Sequence, residues 1–328
     1  MSLSVLFVGG TGQISLPCVE KAVADGHNVT VFNRGRINDE LPKGVTSITG
    51  DMNDKAGYGA LGKTHYDVVC QFMVFRPEQM ATDIATFRGN TGQYIFISSA
   101  SVYEKPPRHY VITEKTPTVN PYWKYSQDKI ACEAMLKAEK TLPWTIVRPS
   151  HTVRTGLPTM VGPGDELAAR MLAGRPVLVA GDGETPWTLT RSVDLAQPFI
   201  GLWGKTDALG EDFHITGDRG FTWNDIYSTI AKGFGVEAKL VHVPTDTLVR
   251  YHHDWEGQLT GDKSRAALFD NSKVKRVAGD FACSENLAEI LAEPVANTKA
   301  RLAGRPAKEG ELDGLMDRIA AAQAALGT

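Results

Sequence analysis

The chain has 328 residues, enough for two domains or for one large α/β unit with an appended lobe. Its 42% apolar content supplies a sizeable core, and a net charge of −3 with mixed signs leaves no basic stripe, which argues against nucleic acid as a partner. The four cysteines (Cys18, Cys70, Cys132, Cys283) are too scattered for a disulfide framework or a metal cluster, so buried thiols in a reducing compartment, and no metal, are expected. No stretch reaches the ~18 apolar residues that span a bilayer. The chain opens on a strand, without the charged n-region and long apolar run of a signal peptide, so a soluble cytoplasmic protein with no membrane partner is expected.

Ser4–Val8 is a continuous apolar run, as suits a strand buried on both faces of a parallel sheet. Gly9-Gly10-Thr11-Gly12-Gln13-Ile14-Ser15 follows and leads into a helical pattern through Val23. Small residues let backbone approach a pyrophosphate there, and the helix N-terminus offers free amides and a positive dipole end. Ser15 stands where a third glycine usually allows close helix–strand packing. Strands are predicted at Asn28–Phe32, Val45–Ile48, Asp67–Phe72, Gln93–Ile97 and Trp144–Val147, with helices at Pro77–Arg88 and Tyr122–Lys140. This alternation predicts an α/β fold, a Rossmann-type doubly wound parallel sheet.

Beyond Arg148-Pro149 the pattern loosens. A helix at Val193–Leu202, a strand near Phe213–Ile215, a helix at Thr222–Phe234, a strand at Lys239–Val243 and an amphipathic tail at Leu312–Leu326 are predicted, the tail carrying Leu312, Leu315, Met316, Ile319 and Leu326 on one side. The expected division is a dinucleotide-binding domain over 1–155 and, over 156–328, a smaller substrate lobe interleaved with returning elements of the sheet.

The chemistry concentrates between Phe96 and Lys129. The strand ending at Ile97 runs into Ser98-Ser99, putting hydroxyls at the carboxyl edge of a sheet, where α/β proteins bind ligands. Tyr125 and Lys129 stand four residues apart on a helix, so both project from one face. A phenol of ordinary pKa roughly 10 beside an ammonium can transfer a proton near neutrality. His151, after the sixth strand, and Tyr122, Trp123 and Trp187 are candidate walls for a substrate. His252-His253-Asp254 reads as solvated loop rather than metal site.

The glycine turn, Gly50-Asp51-Met52, Ile97-Ser98-Ser99-Ala100-Ser101-Val102-Tyr103, Tyr125-x-x-x-Lys129 and Val193-Asp194-Leu195-Ala196 together resemble the extended short-chain dehydrogenase/reductases, the NAD-dependent epimerase/dehydratase group, over most of residues 3–275. The resemblance implies a bound nicotinamide cofactor and hydride transfer at a carbinol or ketone carbon; NADP or NAD is expected, Asn33 and Arg34 favouring NADP. It assigns Ser99 as the catalytic hydroxyl, Tyr125 as general acid/base, and Lys129 as the residue that holds the nicotinamide ribose and lowers the Tyr125 pKa. The expected cofactor residues are Gly9, Gly12, Gln13, Ile14, Asn33, Arg34, Asp51, Met52, Phe72, Lys129 and Pro149. Asn33 and Arg34 stand where an acidic residue would normally take the ribose hydroxyls, and the Arg34 guanidinium suits a 2′-phosphate.

Two departures narrow the substrate. Ala100-Ser101 replace the Asp-Glu of the sugar dehydratases, and Trp187 replaces the arginine that clamps a nucleotide diphosphate in related epimerases, leaving Arg154 or Arg191 as stand-ins. A sugar-like or other small hydroxy/keto substrate follows, with at most a second copy of the chain as partner. An oxidoreductase is the first reading, a sugar or nucleotide-sugar epimerase with retained NAD the second. The third is a non-catalytic or RNA-associated relative, because the turn and Phe32-Asn33-Arg34-Gly35 also resemble chloroplast stem-loop-binding proteins of the superfamily.

Overall fold

The computed structural model describes residues 2–37, 40–303, 310 and 312–326. Seven parallel strands form the central sheet: β1 (Ser4–Val8), β2 (Asn28–Asn33), β3 (Thr46–Thr49), β4 (Tyr66–Gln71), β5 (Thr91–Ile97), β6 (Trp144–Pro149) and β7 (Glu211–Ile215). Their order is β7-β6-β5-β4-β1-β2-β3, all pairs parallel. The order reverses beside β1, which opens a crevice at the carboxyl edge.

Strand alternation explains why the sheet must be covered twice. Val5 and Phe7 of β1 pack with Val29, Val31, Val68, Cys70, Ile95 and Val147 on one face, beneath the helices Ser15–Ala24 and Ser192–Gly201. Leu6 and Val8 pack with Val69, Tyr94, Phe96 and Ile146 on the other, against the helices Pro77–Phe87 and Lys124–Ala138. Side chains two apart share a face, so a continuous apolar strand is stable only between two layers. Burying each such side chain contributes roughly 1.5–3 kcal/mol. Cys18, Cys70, Cys132 and Cys283 are all buried and unpaired.

β7 reaches the sheet from the second half of the chain, where a third core builds the lobe. That half is more regular than its sequence pattern implies. The sequence pattern does not mark the helix at Gly164–Leu172, the strand at Pro176–Ala180 that pairs with the expected strand Lys239–Val243, the paired strands His151–Val153 and Pro186–Arg191, or the helix at Leu287–Leu302. Strands of three to six residues hardly register in an apolar-periodicity reading, and Pro294 lies inside the last helix. The tail helix spans Asp313–Ala325 and buries Met316 and Ile319, with Leu312 and Leu315 packed alongside. Leu326, expected on the same side, instead caps the helix end at 81% exposure, beyond the reach of the lobe. Among the described residues, no helix is long and apolar enough to cross a membrane.

Candidate active site

A cavity of about 730 Å³ opens at the carboxyl edge of β1, β2, β4, β5 and β6. The glycine turn forms its floor. Gly9 has φ +87°, and a Cβ there would run into Met73. A Cβ on Gly10 would sit 2.7 Å from the Val31 side chain, so the turn can pass over β2 only without side chains. Ser15 adapts to the third-glycine position by accepting the Gly12 N–H at 2.9 Å, and the first bond into the helix is Leu16 N–H to Gly12 O. Gln13 and Ile14 therefore precede the first helical bond, the situation in which N–H groups serve an anion. The Gln13 side chain ties the turn to the lobe, donating to Thr152 O at 2.7 Å and accepting from Gly156 N–H at 3.1 Å.

Asn33, Arg34, Asp51, Met52 and Phe72 line the same cavity, as do Ser99, Tyr125, Lys129 and Pro149. Asn33 Oδ1 accepts the Gly35 N–H at 2.7 Å, while its Nδ2 is buried without a partner among the described residues. A buried amide donor lacking an acceptor is costly unless a ligand supplies one. That orphan, the side-chain-free turn and the adjacent Arg34 fit the phosphates and ribose of a dinucleotide.

One helix face organises the other end. Tyr125, Lys129 and Glu133 follow each other at intervals of four along Lys124–Ala138. Glu133 is buried, accepts from Ser98 Oγ at 2.6 Å and forms a two-pronged pair with Arg148, at 2.8 Å from Nε and 2.6 Å from Nη2. This pair braces the ends of β5 and β6 against the helix; removing one member of such a buried pair costs roughly 3–5 kcal/mol. Ser99 Oγ lies 2.9 Å from Ser101 Oγ, which accepts from Ser126 Oγ at 2.8 Å.

Two of the expected side chains are placed differently from what the sequence suggests. The Lys129 ammonium does not rest on the phenol: it donates to Val74 O at 2.6 Å and Ile97 O at 2.8 Å, and lies 5.9 Å from the Tyr125 ring centre. Its burial pulls its pKa down to about 7. The Tyr125 pKa is raised, by burial first; a hydrogen bond with Ser99 opposes the shift and the Asp262 carboxylate adds to it. Tyr122 lines neither this cavity nor its neighbour, and packs instead beside Gly261. Trp123, next to it, lines the second cavity instead.

A second cavity of about 350 Å³ adjoins the first and shares Ser99, Tyr125, Pro149 and Ser150 with it. Trp123, His151 and Trp187 are among its walls. Trp187 is less open than expected: it is buried, tilted against Trp223 at 5.6 Å between ring centres, and its N–H donates to His151 Nδ1 at 3.1 Å. Burial, with the Lys263 charge adding, pushes the His151 pKa down to about 3, so the ring is neutral and accepts that bond. Arg191 is committed to Asp194 and Glu289 and is no substitute clamp. Arg154 turns to the glycine loop, with Nη2 3.5 Å from Gly12 O. Among the described residues, no group of His, Cys, Asp and Glu could hold a metal.

Sequence reasoning missed Lys105, Asp262 and Lys263, which also line the second cavity. No motif marks them. In the structure Trp123 packs onto Gly257, where a Cβ would lie 2.3 Å from the indole, and a Cβ on Gly261 would crowd Asn120, Tyr122 and Trp123.

Residues 9–167 match the family described as NAD(P)H-binding. The chain is 29% identical over 73% of its length to the chloroplast stem-loop binding protein of 41 kDa b of Arabidopsis thaliana, and spans 65% of that protein. It is 24% identical over 85% of its length to the 2'-dehydrokanamycin reductase of Streptomyces kanamyceticus, spanning 80% of it. In fold it is similar to the epimerase Mth375 of Methanothermobacter thermautotrophicus, with a TM-score of 0.75, 15% identity and coverage of 92% of this chain and 93% of that one.

Proposed function

We infer, from the match of residues 9–167 to the NAD(P)H-binding family and a fold similar to that of an epimerase, that this chain is an NAD(P)-dependent oxidoreductase acting on a sugar-like or other small hydroxy/keto substrate. The observation that carries the reading is that Ser99, Tyr125 and Lys129 line one cavity with the glycine turn, Asn33 and Arg34. A bound nicotinamide would supply or accept the hydride. Tyr125 holds the proton exchanged with the substrate oxygen, and the Ser99 hydroxyl orients that oxygen and supports it as its charge changes. Lys129, by holding the carbonyls of Val74 and Ile97, fixes the strand end that carries Ser99.

Burial raises the Tyr125 pKa, so the phenol carries the proton that a carbonyl oxygen takes up on reduction. Trp187 in place of a cationic clamp, with Arg191 engaged elsewhere, supports a substrate without a nucleotide handle. Four buried, unpaired thiols suit the reducing cytoplasm proposed for it.

A second reading draws on the 29% identity to a stem-loop binding protein: an RNA-associated role. The pI of about 6.3 gives no general attraction for phosphate backbones and weighs against it.

An absorbance spectrum of the purified chain, followed by cofactor titration, tests the proposal. An empty site that takes up NADP or NAD and then reduces small carbonyl compounds is expected. A tightly retained dinucleotide would favour epimerisation, and a chain that takes up none would end the oxidoreductase reading.

A further inference from the structure

The second cavity is short of negative charge. Lys105 lines it with its side chain 2% exposed, and the nearest acid, Asp262 Oδ1, lies 3.9 Å from Nζ, too far for a hydrogen bond. Lys263, on the π-turn Leu259–Lys263, lines the same space, and among the described residues its Nζ makes neither a hydrogen bond nor an ion pair. Two ammoniums thus share one carboxylate. Arg265 adds a buried Nε without a partner, and its charge bears on Lys105. Of the other titratable walls, His151 is neutral and the Tyr125 phenol has its pKa raised by burial.

This arrangement is built, not loose. Asn120 donates one amide to both Ser101 O at 2.8 Å and Gly261 O at 2.7 Å, fastening the π-turn to the segment that follows Ser99. Trp123 packs on Gly257 and Gly261 and holds the turn down. Burying an ammonium without a partner costs several kcal/mol, and each one has three donors to satisfy. The fold holds a buried Lys105 and a half-buried Lys263 beside Ser99 and Tyr125, burial lowering the pKa of both, in a cavity at the small end of the ligand-sized range of about 300–1,000 Å³. An acceptor-rich anion is the ligand group that completes them.

We propose that the substrate carries an oxyanion, a carboxylate or a phosphoryl group, seated between the ammoniums of Lys105 and Lys263, so that its carbonyl or carbinol carbon lies at Ser99 and Tyr125. The inference rests on the oxidoreductase reading and narrows it. Lys105 and Lys263 then decide specificity: a neutral sugar leaves both unpaired, whereas an acid or phosphorylated analogue satisfies them.

The test uses the full chain saturated with NADP+, so that the glycine turn is filled, and follows tryptophan fluorescence from Trp123 and Trp187 at constant ionic strength. The probes are sodium acetate and sodium phosphate, one for each oxyanion class. Wild-type protein should saturate with at least one of them, and Lys105→Met and Lys263→Met should each weaken that binding at least tenfold while leaving NADP+ affinity unchanged. If Lys105→Met does not fold, Lys105→Gln replaces it. Absence of saturation with both probes, or undiminished affinity in either lysine position, would overturn the proposal. Failure of the oxidoreductase reading is seen separately, as failure of NADP+ and NAD+ uptake or of turnover, because the anion titration involves no hydride transfer.

Discussion

Lys129 donates its ammonium to the carbonyl of Ile97 at 2.8 Å, linking the helix that carries Tyr125 to the last residue of the strand that delivers Ser99. The lysine therefore acts on the site through backbone as much as through charge. Lys129→Met would leave the carbonyls of Ile97 and Val74 without this donor, and each buried acceptor left unsatisfied costs roughly 1–3 kcal/mol. We expect the variant to lose both thermal stability and cofactor affinity, with turnover falling further than affinity. Differential scanning calorimetry and NADP+ titration check this; unchanged values in both would remove Lys129 from the site.

Cofactor choice follows from β2. Asn33 leaves an amide donor unpaired at the cavity and Arg34 lines it, and neither repels a 2′-phosphate as a carboxylate would. A charge-assisted contact from Arg34 is worth about 1.5–3 kcal/mol, roughly 10- to 150-fold in affinity. Arg34→Ala should weaken NADP+ by that factor and leave NAD+ nearly unchanged. Calorimetric titration reads the ratio directly, and tighter NAD+ binding indifferent to Arg34 would contradict it.

His151 sets a pH dependence. Its pKa is about 3 in the folded chain against an ordinary 6.5, so between those values the unfolded chain binds the extra proton. Stability from this group is complete above about pH 6.5 and is lost as pH falls toward 3. His151→Asn offers Trp187 an acceptor that does not titrate. The variant should lose about 1 kcal/mol at neutral pH through poorer packing, yet show a flatter decline toward acid than wild type. Urea unfolding at about pH 7.5 and about pH 5 makes the comparison; parallel declines would show that His151 is free to protonate.

The central sheet was legible because each buried strand is bounded by glycine, proline or polar turns and alternates with a helix, a pattern that β1, the glycine turn and the helix Ser15–Ala24 display in their first two dozen residues. The meeting of Ser99, Tyr125 and Lys129 on one cavity could likewise be anticipated, because a strand end and a helical four-residue spacing fix direction locally. What Lys129 touches could not. Its carbonyl partners belong to Val74 and Ile97, 55 and 32 residues away, and burial rather than spacing decides the Tyr125 pKa. Lys105 and Lys263 were invisible for the same reason: they converge from distant loops through Asn120 and two glycines.

Tyr125→Phe is the most direct test of the account. The substitution removes one oxygen and no packed volume to speak of, so folding and NADP+ affinity should stay near wild type. Loss of a positioned acid/base lowers rate by about 10²–10⁴. Single-turnover oxidation of bound NADPH by a carbonyl substrate, followed by reduced-nicotinamide absorbance, isolates that step. The account predicts a loss of that size with intact cofactor binding; wild-type turnover in Tyr125→Phe would contradict it.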